Sequence, residues 1–312
     1  MTQPYATVLT ITHAVLALLM PVLLVGVINR TKSWWAGRKG PRLLQSASDL
    51  RRLLRKRSLI STVASPLFHA GAYMVLVCSL VAVAMTPMLG RFAPLQFSHD
   101  FIVVAYTLGL ARIALMVSAM DVGSSFEGMG AAREASFSSY AEPALFLLIG
   151  TASAATGMTS FADLIGHLHD TPHYLLIVAP FALALLILLQ AEAARVPVDD
   201  PMTHLELTMI HEVMILDHSG PELAAMQYCA GVKITLYAGL IASLLNPMNP
   251  GSEPVAAILV SLGLMLLVAL VVGCIESLVA RLPMHWVPRY VLLAGAAALA
   301  SMVALGLGAS GL

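Results

Sequence analysis

Eight stretches of this chain are apolar over the length a helix needs to cross a bilayer, and that feature removes most folds from consideration. The hydrocarbon core offers a peptide group no water, so a segment inside it must satisfy its own N–H and C=O groups, as helices and closed barrels do. A spanning helix takes about 20 apolar residues and a spanning strand about 10. Stretches 6–28, 63–87, 101–120, 142–159, 174–194, 223–245, 255–279 and 287–307 are runs of helix length. They predict an all-α polytopic membrane protein of about eight transmembrane helices, a single integral membrane domain over 1–312. With 59% hydrophobic and only 11% charged residues, the chain is more apolar than a soluble domain. The N-terminus has no basic segment ahead of its first apolar run, which argues against a cleaved signal peptide and keeps the first helix.

Charge is segregated along the chain although its net value is zero. Ten of the 17 Lys and Arg lie between Arg30 and Arg57, and loops 29–62, 121–141, 195–222 and 280–286 hold nearly all the loop cations. The positive-inside rule makes those four loops cytoplasmic and puts both termini on the periplasmic side of the inner membrane. On the outer side the loops around 163–173 and 246–254 are turn-rich and lack Lys and Arg. Within the first loop Leu43, Leu50, Leu53 and Leu54 recur at helical spacing among Arg51, Arg52, Arg55, Lys56 and Arg57. That pattern predicts an interfacial amphipathic helix whose arginines meet anionic membrane lipid or an acidic partner; alternatively the charges only hold the loop inside. A balanced net charge gives no reason to expect nucleic acid.

Chemistry concentrates between 189 and 220, where an apolar span ends in a crowd of ionisable groups. Glu192 and Arg195 close the span; Asp199, Asp200, Glu206, Glu212 and Asp217 follow, interleaved with His204, His211 and His218. Five ionisable residues also stand out within or at the ends of spans: Arg112, Glu142, Glu192, Lys233 and Glu276. A charge at mid-membrane is costly enough that each is expected to face protein or water. Glu142, before Pro143, reads as an acid at a helix start, and Glu276 could pair with Arg281 or reach the interface. Glu192 could pair with Arg195 one turn on, or could exchange protons as a carboxylate in a dry setting. The three histidines recur every seven residues and would share a face of a continuous helix, suiting proton exchange or packing better than a metal, since HExxH is absent. His167, His169 and His173 read as a solvated loop. Cys78, Cys229 and Cys274 sit singly in apolar spans and read as packing residues, so no iron-sulfur cluster, zinc or other cofactor is expected in this chain.

Three loop motifs carry a resemblance. GRKGPRLLQSASDLRRLL from Gly37, DVGSSFEGMGAAREASFSSYAEP from Asp121, and AEAARVPVDDPMTHLEL from Ala191 on to DHSG at Gly220 are similar to the cytoplasmic loops of the complex I subunit 1 family. The eight-span layout matches along essentially the whole chain. Within the family the chain resembles the membrane anchors of energy-converting nickel-iron hydrogenases, of formate hydrogenlyase and hydrogenase-4 type. The short passage from Gly40-Pro41 to Leu44 and the reading VPVDDP, where quinone-reducing members have PFDLPE, suggest this branch.

The resemblance implies that Arg38, Gly40, Pro41, Asp49, Arg133 and Glu134 dock a soluble electron-transfer arm or line a cavity beneath it. It implies that Glu142, Glu192, Arg195, Asp199, Asp200, Glu206, Glu212 and Asp217 couple proton or sodium movement to electron transfer. The partners implied are hydrogenase large and small subunits, with their nickel-iron centre and iron-sulfur clusters, and antiporter-like membrane subunits. Asp217 and His218 replace the glutamate and tyrosine of a family Glu-Tyr-Ser-Gly motif, which counts against quinone binding. A quinone-site subunit of a complex I-type enzyme and a standalone ion transporter are the alternatives.

Overall fold

The computed structural model describes residues 3–170, 174–200 and 209–309. Among the described residues every regular element is a helix. In chain order these are α1 (Gln3–Trp35), α2 (Gln45–Leu54), α3 (Pro66–Met85), α4 (Asp100–Asp121), α5 (Ser125–Thr156), α6 (Phe161–His169) and α7 (Tyr174–Glu192). The short α8 (His211–Met214) precedes α9 (Gly220–Leu245), α10 (Pro254–Leu278) and, after a 3-10 turn, α11 (Val287–Ala309). Seven helices in the described residues are long and apolar enough to cross a membrane: α1, α3, α4, α7, α9, α10 and the segment Met284–Ala304. They coincide with seven of the eight predicted spans, and the amphipathic segment of the first loop is helical as α2.

The remaining predicted span, 142–159, is the C-terminal half of α5, and here the structure differs from expectation. α5 runs unbroken through 32 residues with Pro143 inside it, so most of the predicted loop 121–141 is helix. Ala131, Ala132, Ala135 and Ala141 in this stretch are strong helix formers, so a polar sequence there does not mean a loop. Glu142 therefore sits in mid-helix rather than at a helix start. Of the three outer histidines read as a solvated loop, His167 and His169 lie on helix α6, capped by the Ser160 hydroxyl, which accepts from the Asp163 N–H at 3.4 Å, and His173 lies outside the described residues. Leu164, Ile165 and Leu168 bury its apolar face.

α9 is the axis of the bundle. Its side chains are buried almost throughout, with α1, α3, α7 and α10 packed around it. α4 lies against α3 and α5, and α11 against α5 and α7. The outward faces remain apolar: Val8, Ile11, Val15 and Leu18 on α1, Leu259 and Leu267 on α10, and Leu292 and Leu299 on α11 are exposed. Such surface suits lipid and would promote association in water.

The loops bearing the cations meet at one end of the bundle, the basic end. The Ser65 N–H and hydroxyl donate to Asp121 at 2.6 and 2.7 Å, tying the start of α3 to the end of α4. The Leu282 N–H donates to the Pro197 carbonyl at 2.9 Å, and Leu59 pairs with the Ser219 hydroxyl through both its N–H and its carbonyl.

Candidate functional site

Arg112 comes from the middle of α4, where an isolated guanidinium costs about 2.5–3.5 kcal/mol on insertion scales. Its side chain is only 3% exposed, so protein groups must satisfy it. Three carboxylates surround it, two of them hydrogen-bonded and the third paired by charge alone. Glu134 on α5 places an oxygen 3.0 Å from Nε, while Glu142 on α5 and Glu192 at the end of α7 take the two terminal nitrogens. Lys233 of α9 lies 3.8 Å from the second oxygen of Glu192. The cluster thus holds three acids against two cations, Arg112 and Lys233. With every group charged it carries one surplus negative charge, and one proton neutralises it.

A second group of charges lies alongside. Glu276 of α10, its side chain fully buried, has Lys32 at 2.9 Å and Arg195 at 3.5 Å. Asp199 pairs with Arg281 at 3.0 Å and accepts the N–H groups of Asp200, Ile210 and His211 at 3.0 to 3.1 Å. Burial raises the Asp199 pKa, against the pull of those donors and of Arg281. This half has two acids and three cations, so its surplus is opposite in sign to that of the Arg112 cluster. A gap of about 20 Å³ bordered by Arg112, Glu134, Glu192 and Asp199 is large enough for one water molecule. Neither oxygen of Glu276, nor Oε2 of Glu192, receives a well-aligned hydrogen bond among the described residues. The two groups of charge thus meet across that gap.

Two pairings expected from sequence do not form. Arg195 does not meet Glu192, because α7 ends at Glu192 and Ala194 adopts a left-handed φ of 49°, which turns Arg195 toward Glu276. Arg281 likewise meets Asp199 instead of Glu276. The histidine heptad also fails, since α8 is four residues long; His204 lies outside the described residues. Burial, with Lys233 and Arg195 near, pushes His211 down to about 3. Burial takes His218 to about 4, where it stacks on Phe68 at 3.9 Å and lies 3.2 Å from the Ser118 hydroxyl. Both are neutral at pH 7, and among the described residues no cluster of His, Cys, Asp or Glu is arranged to hold a metal.

A cavity of about 320 Å³ opens between α1, α2 and α9. Val22, Val25 and Leu50 form its apolar wall, and Arg195, Asp199 and His211 form its inner end. Asp49 and Glu212 line it too, Asp49 also accepting from Gln45 at 3.0 Å. Arg133 is used inside the fold, donating to the Met209 carbonyl at 2.9 Å. Arg38, Gly40 and Pro41 sit on a separate groove beside α1 or on its rim, and Glu206 lies outside the described residues.

The structure adds residues that sequence reading passed over. Glu127, near the start of α5, is fully buried, and one of its oxygens accepts the Asp217 N–H at 3.0 Å. Burial, with Asp217 nearby, raises its pKa to about 7, while Asp217 itself is exposed. Glu222, in the first turn of α9, is buried against His69 at 2.7 Å and the Ser58 hydroxyl. Lys32, at the end of α1, completes the Glu276 pair. Acids near helix starts look like ordinary dipole partners, so only the loop motif around Glu127 could have flagged it.

Seven membrane-length helices among the described residues, with these carboxylates on α5 and α7 and basic loops at one end, narrow the family, and the NADH dehydrogenase family model matches residues 7–305. The chain belongs to that family. The resemblance read from the three loops is to the same family. Hydrogenase-4 component C of Escherichia coli strain K12 is 26% identical over 276 residues, covering 88% of this chain and 86% of that protein. Formate hydrogenlyase subunit 4 of the same strain is 26% identical over 275 residues, covering 86% and 88%. A chain of the membrane-bound sulfane sulfur reductase, an archaeal respiratory membrane complex, shares the fold with a TM-score of 0.78 at 17% identity, over 95% of this chain and 99% of that one.

Proposed function

We propose that this chain is the anchor and ion-coupling subunit of a membrane-bound, hydrogenase-like complex. Family membership, the two relatives, by name a component of hydrogenase-4 and a subunit of formate hydrogenlyase, and the seven membrane-length helices among the described residues support a membrane subunit of such a complex. The observation that carries the coupling role is the buried Arg112 held by three carboxylates with Lys233 beside them. A surplus acid in a dry setting is a place to store a proton.

In this reading the basic end faces the cytoplasm of the inner membrane and receives a soluble arm with a nickel-iron large subunit and an iron-sulfur small subunit. The Gly40-Pro41 turn and Asp49 are the docking surface. Electron transfer in the arm shifts charge near the 320 Å³ cavity. Asp199 and Glu276 relay the change to Glu192, and the one proton the cluster takes up moves among the Glu192, Glu134 and Glu142 carboxylates, while Arg112 stays charged between them and sets which acid holds it. Glu142, 45% exposed at its side chain, is the acid placed to hand over to an antiporter-like neighbour. Glu127 beside Asp217, titrating near neutrality, is the entry from the cytoplasm.

Purification of the chain with its native partners tests the assignment. A nickel-containing large subunit, an iron-sulfur subunit and antiporter-like subunits should co-purify; an NADH-oxidising module, or no soluble partner, would contradict it. The cavity favours one second reading, a quinone-binding subunit, because its apolar wall and polar inner end would fit a ring with two carbonyls. Bound quinone, or activity lost to quinone-site inhibitors, would decide for that reading.

A further inference from the structure

We propose that a groove between α1, α10 and the segment 37–43 is a specific site for one anionic phospholipid. The inference rests on the membrane placement of the chain and stands whether or not the coupling reading does.

The groove is built by a backbone that doubles back. After α1 ends at Trp35, the chain turns and runs down the helix it has just left. Gly40, at φ 68°, presses on the last turns of α1, where a Cβ would meet that of Ser33 at 2.8 Å. At Gly26 a Cβ would lie 1.9 Å from the Leu43 carbonyl oxygen, so the returning backbone rests directly on the helix. Gly26 lies nine residues before Trp35, or about 13 Å along the axis. The segment therefore dips from the interface toward the hydrocarbon and brings Arg38 and Lys39 beside Arg30.

The resulting groove has a volume of about 790 Å³. Its lining includes Arg30, Arg38 and Lys39 and no acidic residue, and among the described residues none of the three side chains has an ion pair. Arg30 is exposed although it lies within a membrane-spanning segment, where an unpartnered guanidinium is costly. Below the cations the walls turn apolar, with Val27, Leu43 and Leu270. Trp34, 80% exposed, stands at the level that indoles favour at a membrane boundary. Three cations above an apolar channel, flanked by exposed Leu267 and Val271 of α10, match a phosphate headgroup with an acyl chain beneath it. A soluble acidic peptide would satisfy the cations but not the channel.

The test uses the whole complex, purified in mild detergent, stripped of lipid and returned to phosphatidylglycerol or phosphatidylcholine, with bound lipid counted by mass spectrometry. One phosphatidylglycerol should rebind tightly, and Arg38→Gln with Lys39→Gln should weaken it about fivefold for each charge removed. Arg55→Gln with Lys56→Gln, just past the end of α2, should leave that lipid bound. Equal binding of phosphatidylcholine, unchanged retention in the Arg38 and Lys39 variant, or an equal loss in the Arg55 and Lys56 variant would overturn the proposal. A photoreactive residue at Leu270 gives an independent readout in the unstripped complex: it should label lipid, and labelling of a neighbouring subunit instead would also overturn it.

Discussion

The two ends of the bundle handle buried polar groups differently. At the outer end the groups pair locally and tie one piece of chain to another, although Asp100 Oδ2 and Arg91 Nε, too, have no hydrogen bond among the described residues. Asp100 accepts the Phe161 N–H at 2.9 Å, Asn246 donates to the Ala257 carbonyl and the Ser261 hydroxyl, His169 bonds the Leu244 carbonyl, and Arg91 grips Asp170 at the surface. At the basic end charges are shared: one arginine serves three acids, and Glu276 has two cations with no well-aligned hydrogen bond. One-to-one bonds hold a fold, whereas shared and unevenly balanced charges leave room for a proton to change places. Under the proposed function, the outer end holds the fold and the basic end carries the chemistry.

The largest effect is expected at the hub. Arg112→Met leaves three carboxylates with Lys233 alone and should destabilise the protein by about 3–5 kcal/mol, read as thermal unfolding in detergent or loss of assembly. Adding Glu192→Gln should recover part of that loss, because it removes one unpaired charge; no recovery would mean that the acids are not coupled. Next comes Asp199→Asn, which breaks the pair with Arg281 and replaces an acceptor of three N–H groups. It should cost about 1–3 kcal/mol by the same measurement.

Glu127 gives a pH-dependent prediction. Its folded pKa, about 7, lies above the ordinary carboxylate value, so the folded state binds more protons between about 4.5 and 7. The stability it supports is full below that window and is lost as pH rises through 7. Glu127→Gln should therefore raise the melting temperature at pH 8 and leave it unchanged at pH 4.5; an equal shift at both would refute a titrating Glu127. The smallest effect belongs to the outer end. Arg91→Gln removes an exposed ion pair and should cost under about 1 kcal/mol, with ion translocation untouched. If Arg91→Gln impaired translocation as strongly as a change in the Arg112 cluster, the contrast between the ends would collapse.

Much of this contrast was legible in the sequence. The spans followed from apolar length, and Arg112, Glu142, Glu192, Lys233 and Glu276 stood out because charge is expensive in a membrane. Who pairs with whom was not legible. One left-handed residue, Ala194, sends Arg195 away from Glu192, and no local pattern announces it. α5 hid because a polar helix made of alanine and serine has neither the hydropathy of a span nor the breakers of a loop. Glu127 and Glu222 hid as ordinary helix-start acids, until packing showed the buried positions they occupy.

The central claim is that the Arg112 cluster couples ions to electrons, and Glu192→Gln in membrane vesicles tests it most directly. Electron transfer and ion translocation should be followed together in the intact complex. Assembly and electron transfer should persist while translocation is abolished; translocation undiminished in the Glu192→Gln complex would contradict the account.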